Sequence, residues 1–211
     1  PGDYVLFFEE ATSPFCSNTY EFLILEPSPI TLDLIAQNNA NCNEDAQVTV
    51  LATGGSGSFT YAFVQDGVAP VPGDFTTSNY AELDPAINTD WDVYAMDSGG
   101  CMTPPLDVVI ATDPEAVITA LVTNQCTATE GNFDIEVTLA TSGVGPYLLS
   151  LDGGAFQSST LSVAGDTYTF GGLSSGTHTV EVRDSNGCGN SISIDIFPPS
   201  SMIAEVLAQP T

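Results

Sequence analysis

The sequence predicts an all-β protein built from tandem two-sheet sandwiches, and three observations carry that expectation. The five cysteines form two interleaved ladders with one period: Cys16, Cys101 and Cys188 lie 85 and 87 residues apart, and Cys42 and Cys126 lie 84 apart. Apolar residues alternate with polar ones over short runs, as where Phe133, Ile135, Val137 and Leu139 interleave with Asp134, Glu136 and Thr138, which is the period-2 signature of a strand with one buried face. Turn sequences separate such runs: GGSGS at 54–58, DGG at 152–154, GGLSSG at 171–176 and SNG at 185–187. No window carries helical spacing. About seven short strands in ~85 residues describe an immunoglobulin-like sandwich.

The repeat fixes the organisation, because self-similarity at a fixed period marks an array of like units. Residues 2–6, 89–93 and 176–180 fall at intervals of 87, and DSGGC at 97–101 matches DSNGC at 184–188. Residues 30–34, 117–121 and 203–207 form a second set, and LATGGSGSFTYAF at 51–63 pairs with LATSGVGPYLLSL at 139–151. Residues 1–28 are then expected to be the C-terminal strands of a preceding repeat, 29–114 and 115–199 complete repeats, and 200–211 the first strand of a following one. Prolines mark each junction, at Pro27 and Pro29, at Pro114, and at Pro198 and Pro199. Proline fixes φ and donates no hydrogen bond, so such links are stiff and the array is expected to form a rod.

One pair of cysteines per complete repeat suggests bonds from Cys42 to Cys101 and from Cys126 to Cys188, with Cys16 paired to a cysteine upstream of Pro1, although connectivity does not follow from sequence alone. Zinc needs closely spaced ligand pairs, whereas no two cysteines here are nearer than 25 residues. Disulfides of this kind persist outside the cytosol, in the periplasm, at the cell surface or in the medium.

Charge removes several classes of partner. The chain carries 27 acidic residues against one base, Arg183, for a formal net charge of -26. Phosphate backbones are bound by Lys and Arg, so nucleic acid is excluded, and an anionic leaflet is disfavoured for the same reason. No apolar run approaches the ~20 residues of a membrane helix, so direct membrane insertion is not expected, and export and anchoring signals are expected to lie outside the sequence given.

Little in the composition suggests catalysis. His178 is the one histidine; it stands where Tyr4 and Trp91 stand in the other copies, which points to packing instead of proton transfer. No G-x-S-x-G elbow is present, and among so many carboxylates no pair is singled out for glycoside hydrolysis. No catalytic or cofactor-binding residue is expected. Calcium is the cofactor to consider, since it takes oxygen ligands and would relieve the acidic self-repulsion. Its candidates are Asp113 and Glu115 at the junction between repeats, then Glu44 and Asp45, and the Asp97 and Asp184 loops. The competing reading is that Asp97 and Asp184 cap their own turns.

Residues 142–196 carry more specific text: GVGPYLLSLDGGAFQSS, then GGLSSGTHTVEVRDSNGC, then SISIDI. This resembles the SprB-type repeat of giant adhesins from gliding Bacteroidota, with its Gly-Pro-Tyr entry, DGG turn and G-L-x-x-G-x-Y-x-V-x-V-x-D-x-N-G-C run. The copy at 29–114 departs from it, with Ser58-Phe59 for Pro-Tyr, Trp91 at the aromatic position and Met96 where Arg183 sits. The resemblance implies a non-catalytic, extracellular adhesin at the bacterial cell surface, exported by the type 9 secretion route and acting in attachment and gliding motility. Its partners would be neighbouring repeats of the same chain and a surface polysaccharide or other adhesion substrate. The alternative is that these repeats are a passive stalk or spacer in a secreted enzyme or an extracellular filament.

Overall fold

Alternating burial along the chain produces strands at nearly every place the period-2 pattern marks. The structure is a computed structural model and describes residues 1–12, 16–26 and 28–199; the expected strand at 200–211 lies outside the described residues. The chain divides into two compact units, one of residues 1–37, 47–83 and 88–109, the other of residues 38–46, 84–87 and 110–211. These units cut across the repeat frame, and the loop at 38–46, which by sequence belongs to the copy at 29–114, is part of the second unit.

In the first unit β1 (Gly2–Glu9) and β2 (Ser17–Ile24) form an antiparallel hairpin, with Gly2 opposite Ile24 and Glu9 opposite Ser17. A three-stranded sheet has the order β3 (Thr31–Asn38), β4 (Ala46–Thr53), β6 (Tyr80–Leu83). A second has the order β5 (Thr60–Gln65), β7 (Asp90–Met96), β8 (Leu106–Val109). Strand β4 buries Ala46, Val48, Val50 and Ala52 and leaves the residues between them more exposed. Strand β7 buries Val93 and Ala95 completely. The hairpin differs: one face, with Tyr4, Leu6, Phe8, Tyr20 and Phe22, is apolar yet exposed, and the other mixes exposed Val5, Phe7 and Leu23 with Asp3, Glu9 and Glu21.

The second unit repeats that plan. Strands β9 (Val117–Val122), β10 (Phe133–Thr141) and β13 (Thr167–Leu173) form one sheet in the order β13-β10-β9. Strands β11 (Leu148–Leu151), β12 (Gln157–Ser158), β14 (Gly176–Arg183) and β15 (Ser191–Ile196) form the other in the order β12-β11-β14-β15. The inward residues of β10 are fully buried and cluster with Ile118, Leu149, Val180, Val182 and Ile196 from the neighbouring strands. Each such side chain contributes about 1.5–3 kcal/mol by leaving water, so this cluster is the main source of the sandwich's stability. The order β6-β4-β3 matches β13-β10-β9, and β5-β7-β8 matches β11-β14-β15. Apart from β12, the same strand order is thus used twice, in an immunoglobulin-like all-β sandwich.

Candidate functional site: the Cys42–Cys188 disulfide and its turn

The distinctive chemistry sits where strand β14 turns into β15, and one buried carboxylate builds the turn. Asp184 donates its backbone N–H to the Cys188 carbonyl at 2.9 Å. Its Oδ1 accepts the backbone N–H groups of Asn186 and Cys188, each at 2.9 Å, and its Oδ2 accepts that of Val144 at 3.0 Å. A short turn between strands leaves N–H groups that the ladder cannot pair, and an aspartate at its first position satisfies them.

The same turn recurs in the first unit. Asp97 donates to the Cys101 carbonyl at 2.9 Å, while its Oδ1 accepts from Gly99 and Cys101 and its Oδ2 from Ser56. Hydrogen bonds from the Ser56 and Cys101 backbone hold this carboxyl below the usual aspartate range, outweighing its desolvation. Two glycines make the approach possible. A Cβ on Gly55 would stand 2.7 Å from the Asp97 Oδ2, and one on Gly143 would overlap the Asp184 Oδ2. The glycine-rich segments at 54–57 and 142–145 are thus seats for a carboxylate. After β1, Glu10 donates its backbone N–H to the Cys16 carbonyl at 2.9 Å.

The structure bonds Cys42 to Cys188, with 5.8 Å between their Cα atoms and 146 residues between them in sequence. This corrects the expected pairs Cys42–Cys101 and Cys126–Cys188. The reason is strand length. Cys188 lies beside the start of β9, since Asn190 donates to the Ala116 carbonyl and accepts from the Ile118 N–H through its Oδ1. Cys126 lies beyond the far end of β9, after Val122. Six residues of strand span about 20 Å, whereas bonded cysteines have Cα atoms roughly 4.4–6.8 Å apart. Cys101 and Cys42 are separated in the same way by β3: the Asp97 turn lies against Gly55 and Pro29 near its start, and Cys42 follows its end.

Around the bond, Asn41 closes the Cys42 loop by accepting the Asn43 and Glu44 backbone N–H groups through its Oδ1. Asn43 then donates from Nδ2 to the Asn186 carbonyl at 2.8 Å. Asn186 and Asn39 donate in turn to the two oxygens of Asp113, at 3.1 and 2.8 Å. The calcium candidate Asp113 is thus placed in an amide network at the disulfide, and Glu115 is exposed nearby in sequence. Among the described residues no group of three or more His, Cys, Asp or Glu gathers in a metal-binding arrangement. Cys16, Cys101 and Cys126 are exposed free thiols.

His178 has a polar role that spacing alone did not reveal. Its Nδ1 meets the Asp152 Oδ2 at 2.7 Å and its Nε2 meets the Ser174 carbonyl at 2.9 Å. Trp91 does the counterpart in the first unit, donating its ring N–H to the Asn88 carbonyl at 2.9 Å. The Ser174 carbonyl, then Asp152, hold the imidazole above its ordinary pKa of 6.5. For Asp152 burial opposes ionisation, but the Thr179 N–H and His178 outweigh it and lower its pKa below 3.8. A raised histidine stabilises below 6.5 and loses that contribution as pH rises through the raised value; a lowered aspartate stabilises above 3.8 and loses it as pH falls through the lowered value. The melting-temperature gap between wild type and His178→Gln is therefore expected to be widest between these two values and to shrink on the alkaline side. A gap that is flat from pH 4 to 9 would show that the pair carries no charge-dependent stability.

No protein-family model matches the chain, and no curated protein matches it. Among solved structures it is similar to a chain in the crystal structure of Dpr2 Ig1-Ig2 in complex with DIP-Theta Ig1-Ig3, at 11% identity and a TM-score of 0.30, covering 92% of this chain and 72% of that one. A similarity at that level supports no residue-level transfer. No helix among the described residues is long and apolar enough to cross a membrane, and the disulfide is consistent with an extracellular protein.

Proposed function

We propose that this chain is a tension-resisting, non-catalytic segment of a large repetitive cell-surface adhesin of the SprB type, exported by the type 9 route and acting in surface attachment. The observation that carries the reading is the recurrence of one cysteine turn, at Asp184–Cys188 and Asp97–Cys101, on sandwiches of the same topology. An array of like modules gains grip through many tethered weak contacts, because each added contact becomes intramolecular. The Cys42–Cys188 bond suits such a role. It closes a covalent ring across 146 residues, so about 500 Å of chain, at ~3.5 Å per residue, is withheld from extension under tension.

Attachment is the test. Beads carrying the oxidised chain are expected to hold to polysaccharide-coated glass under flow more strongly than beads carrying an unrelated protein of equal acidity. Retention should climb steeply with the number of chains per bead. Retention no better than the control at every density would contradict adhesion and leave a spacer role.

A further inference from the structure

Cys101 and Cys188 occupy the same turn, yet one is an exposed thiol and the other is buried in a bond. The shared cradle is atom-for-atom: an aspartate N–H to the cysteine carbonyl, one carboxylate oxygen to the cysteine N–H, and the other to a glycine-rich loop. What differs is the neighbour. Beside Cys188 stands the Cys42 loop, whose Cys42 N–H points at the Cys188 Sγ at 3.2 Å. Beside Cys101 there is instead an open cavity of about 620 Å³, lined by Glu26, Ser28, Pro29, Ile30, Gly55, Asp97 and Cys101.

The other half of the bond is also present in duplicate. Cys42 and Cys126 both follow the first strand of their copies, β3 and β9. Each loop is tied to the segment by which its own copy ends. Ala40 donates to the Ala111 carbonyl at 2.9 Å and accepts from the Asp113 N–H at 2.8 Å. In the later copy the Gln125 side chain does this, donating to the Phe197 carbonyl at 2.7 Å and accepting the Phe197 N–H at 3.1 Å. Cys126 is therefore held beside the end of its copy, as Cys42 is held beside residues 111–113.

We infer that Cys101 and Cys126 are the two halves of a disulfide of the Cys42–Cys188 type, each bonding the complementary cysteine of another repeat: Cys126 the turn cysteine of a repeat that follows, Cys101 the loop cysteine of a repeat that precedes. The cysteines then form a ladder that joins every repeat to the next, and no repeat is closed on itself. One feature does not carry over. Gly99 stands where Asn186 bonds Asp113, so the bond at Cys101 forms without that amide. Each bond removes two protons and two electrons from a pair of thiols. A disulfide oxidant takes the electrons by thiol–disulfide exchange and is itself reduced to two thiols.

The inference rests on the reading of the chain as part of an array, and the test separates the two. One further copy of residues 115–199 is joined after Pro199, the protein is refolded with oxidised glutathione, and free thiols are alkylated before reduction and mass mapping. In the original chain Cys16, Cys101 and Cys126 should be alkylated. In the extended chain Cys126 should lose its label to a bond with the added counterpart of Cys188, while Cys101 and the added counterpart of Cys126 remain labelled. In an extended Cys126→Ser variant the added counterpart of Cys188 should become labelled. A bond between the two cysteines of the added copy, with Cys126 still labelled, would overturn the inference. Protection of Cys42 and Cys188 in every sample reports correct folding. A failure of the array reading would appear separately, as the absence of further such repeats in the flanking natural sequence.

Discussion

Replacing Cys188 with serine is expected to destabilise the protein by about 5 kcal/mol, the loop-entropy value for a bond whose cysteines are 146 residues apart. Cys42→Ser should cost the same. Cys101→Ser and Cys126→Ser change exposed thiols that make no bond, so they should fall within about 0.5 kcal/mol of wild type. Urea unfolding without reductant reads all four. The grouping is more informative than the size, because pairing within each repeat would make Cys101 and Cys126 as costly as the other two. If Cys42→Ser and Cys101→Ser were equally severe, the bond described above would be wrong.

Asp184→Ala is the second large effect. It leaves the Val144, Asn186 and Cys188 N–H groups without their acceptor in a turn whose aspartate is 4% exposed. A part-buried donor left unpaired costs roughly 1–3 kcal/mol, and with some water entering, the three together should cost about 3 kcal/mol. Asp184→Asn should recover only part, because its amide nitrogen cannot accept from the backbone N–H groups it would face. The same substitution should slow reformation of the Cys42–Cys188 bond after reduction, since the turn that presents Cys188 is no longer closed. A loss below 1 kcal/mol with normal reoxidation would show that the carboxylate is dispensable.

Much of this architecture is legible in the residues. The alternation at 133–139 marks the central core strand because burial of one strand face needs only a period of two. The shared period of 97–101 and 184–188 marks a turn used twice, and aspartate at its head marks the cap. The disulfide partner was harder, because period establishes which cysteines are equivalent but not which are adjacent. Cys42 stands in equal relation to a turn in its own copy and to one in the next. The deciding quantity is the length of the strand between loop and turn, and the six residues of β9 already place Cys126 and Cys188 too far apart. The role of Gly55 and Gly143 was not legible, since the carboxylates that require them come from residues 97 and 184. The polar partners of the packed His178 were not legible, since Asp152 and Ser174 arrive from turns outside its own periodic run.

The single base in the chain offers the most direct test of the bond. Trypsin can cut only after Arg183, which severs residues 184–211, and with them Cys188, from the rest. With free thiols alkylated, the chain denatured and no reductant added, the piece 184–211 should stay attached in wild type and in Cys126→Ser, and separate on a gel in Cys42→Ser. Its release from Cys126→Ser and retention in Cys42→Ser would contradict the Cys42–Cys188 bond and restore pairing within each repeat.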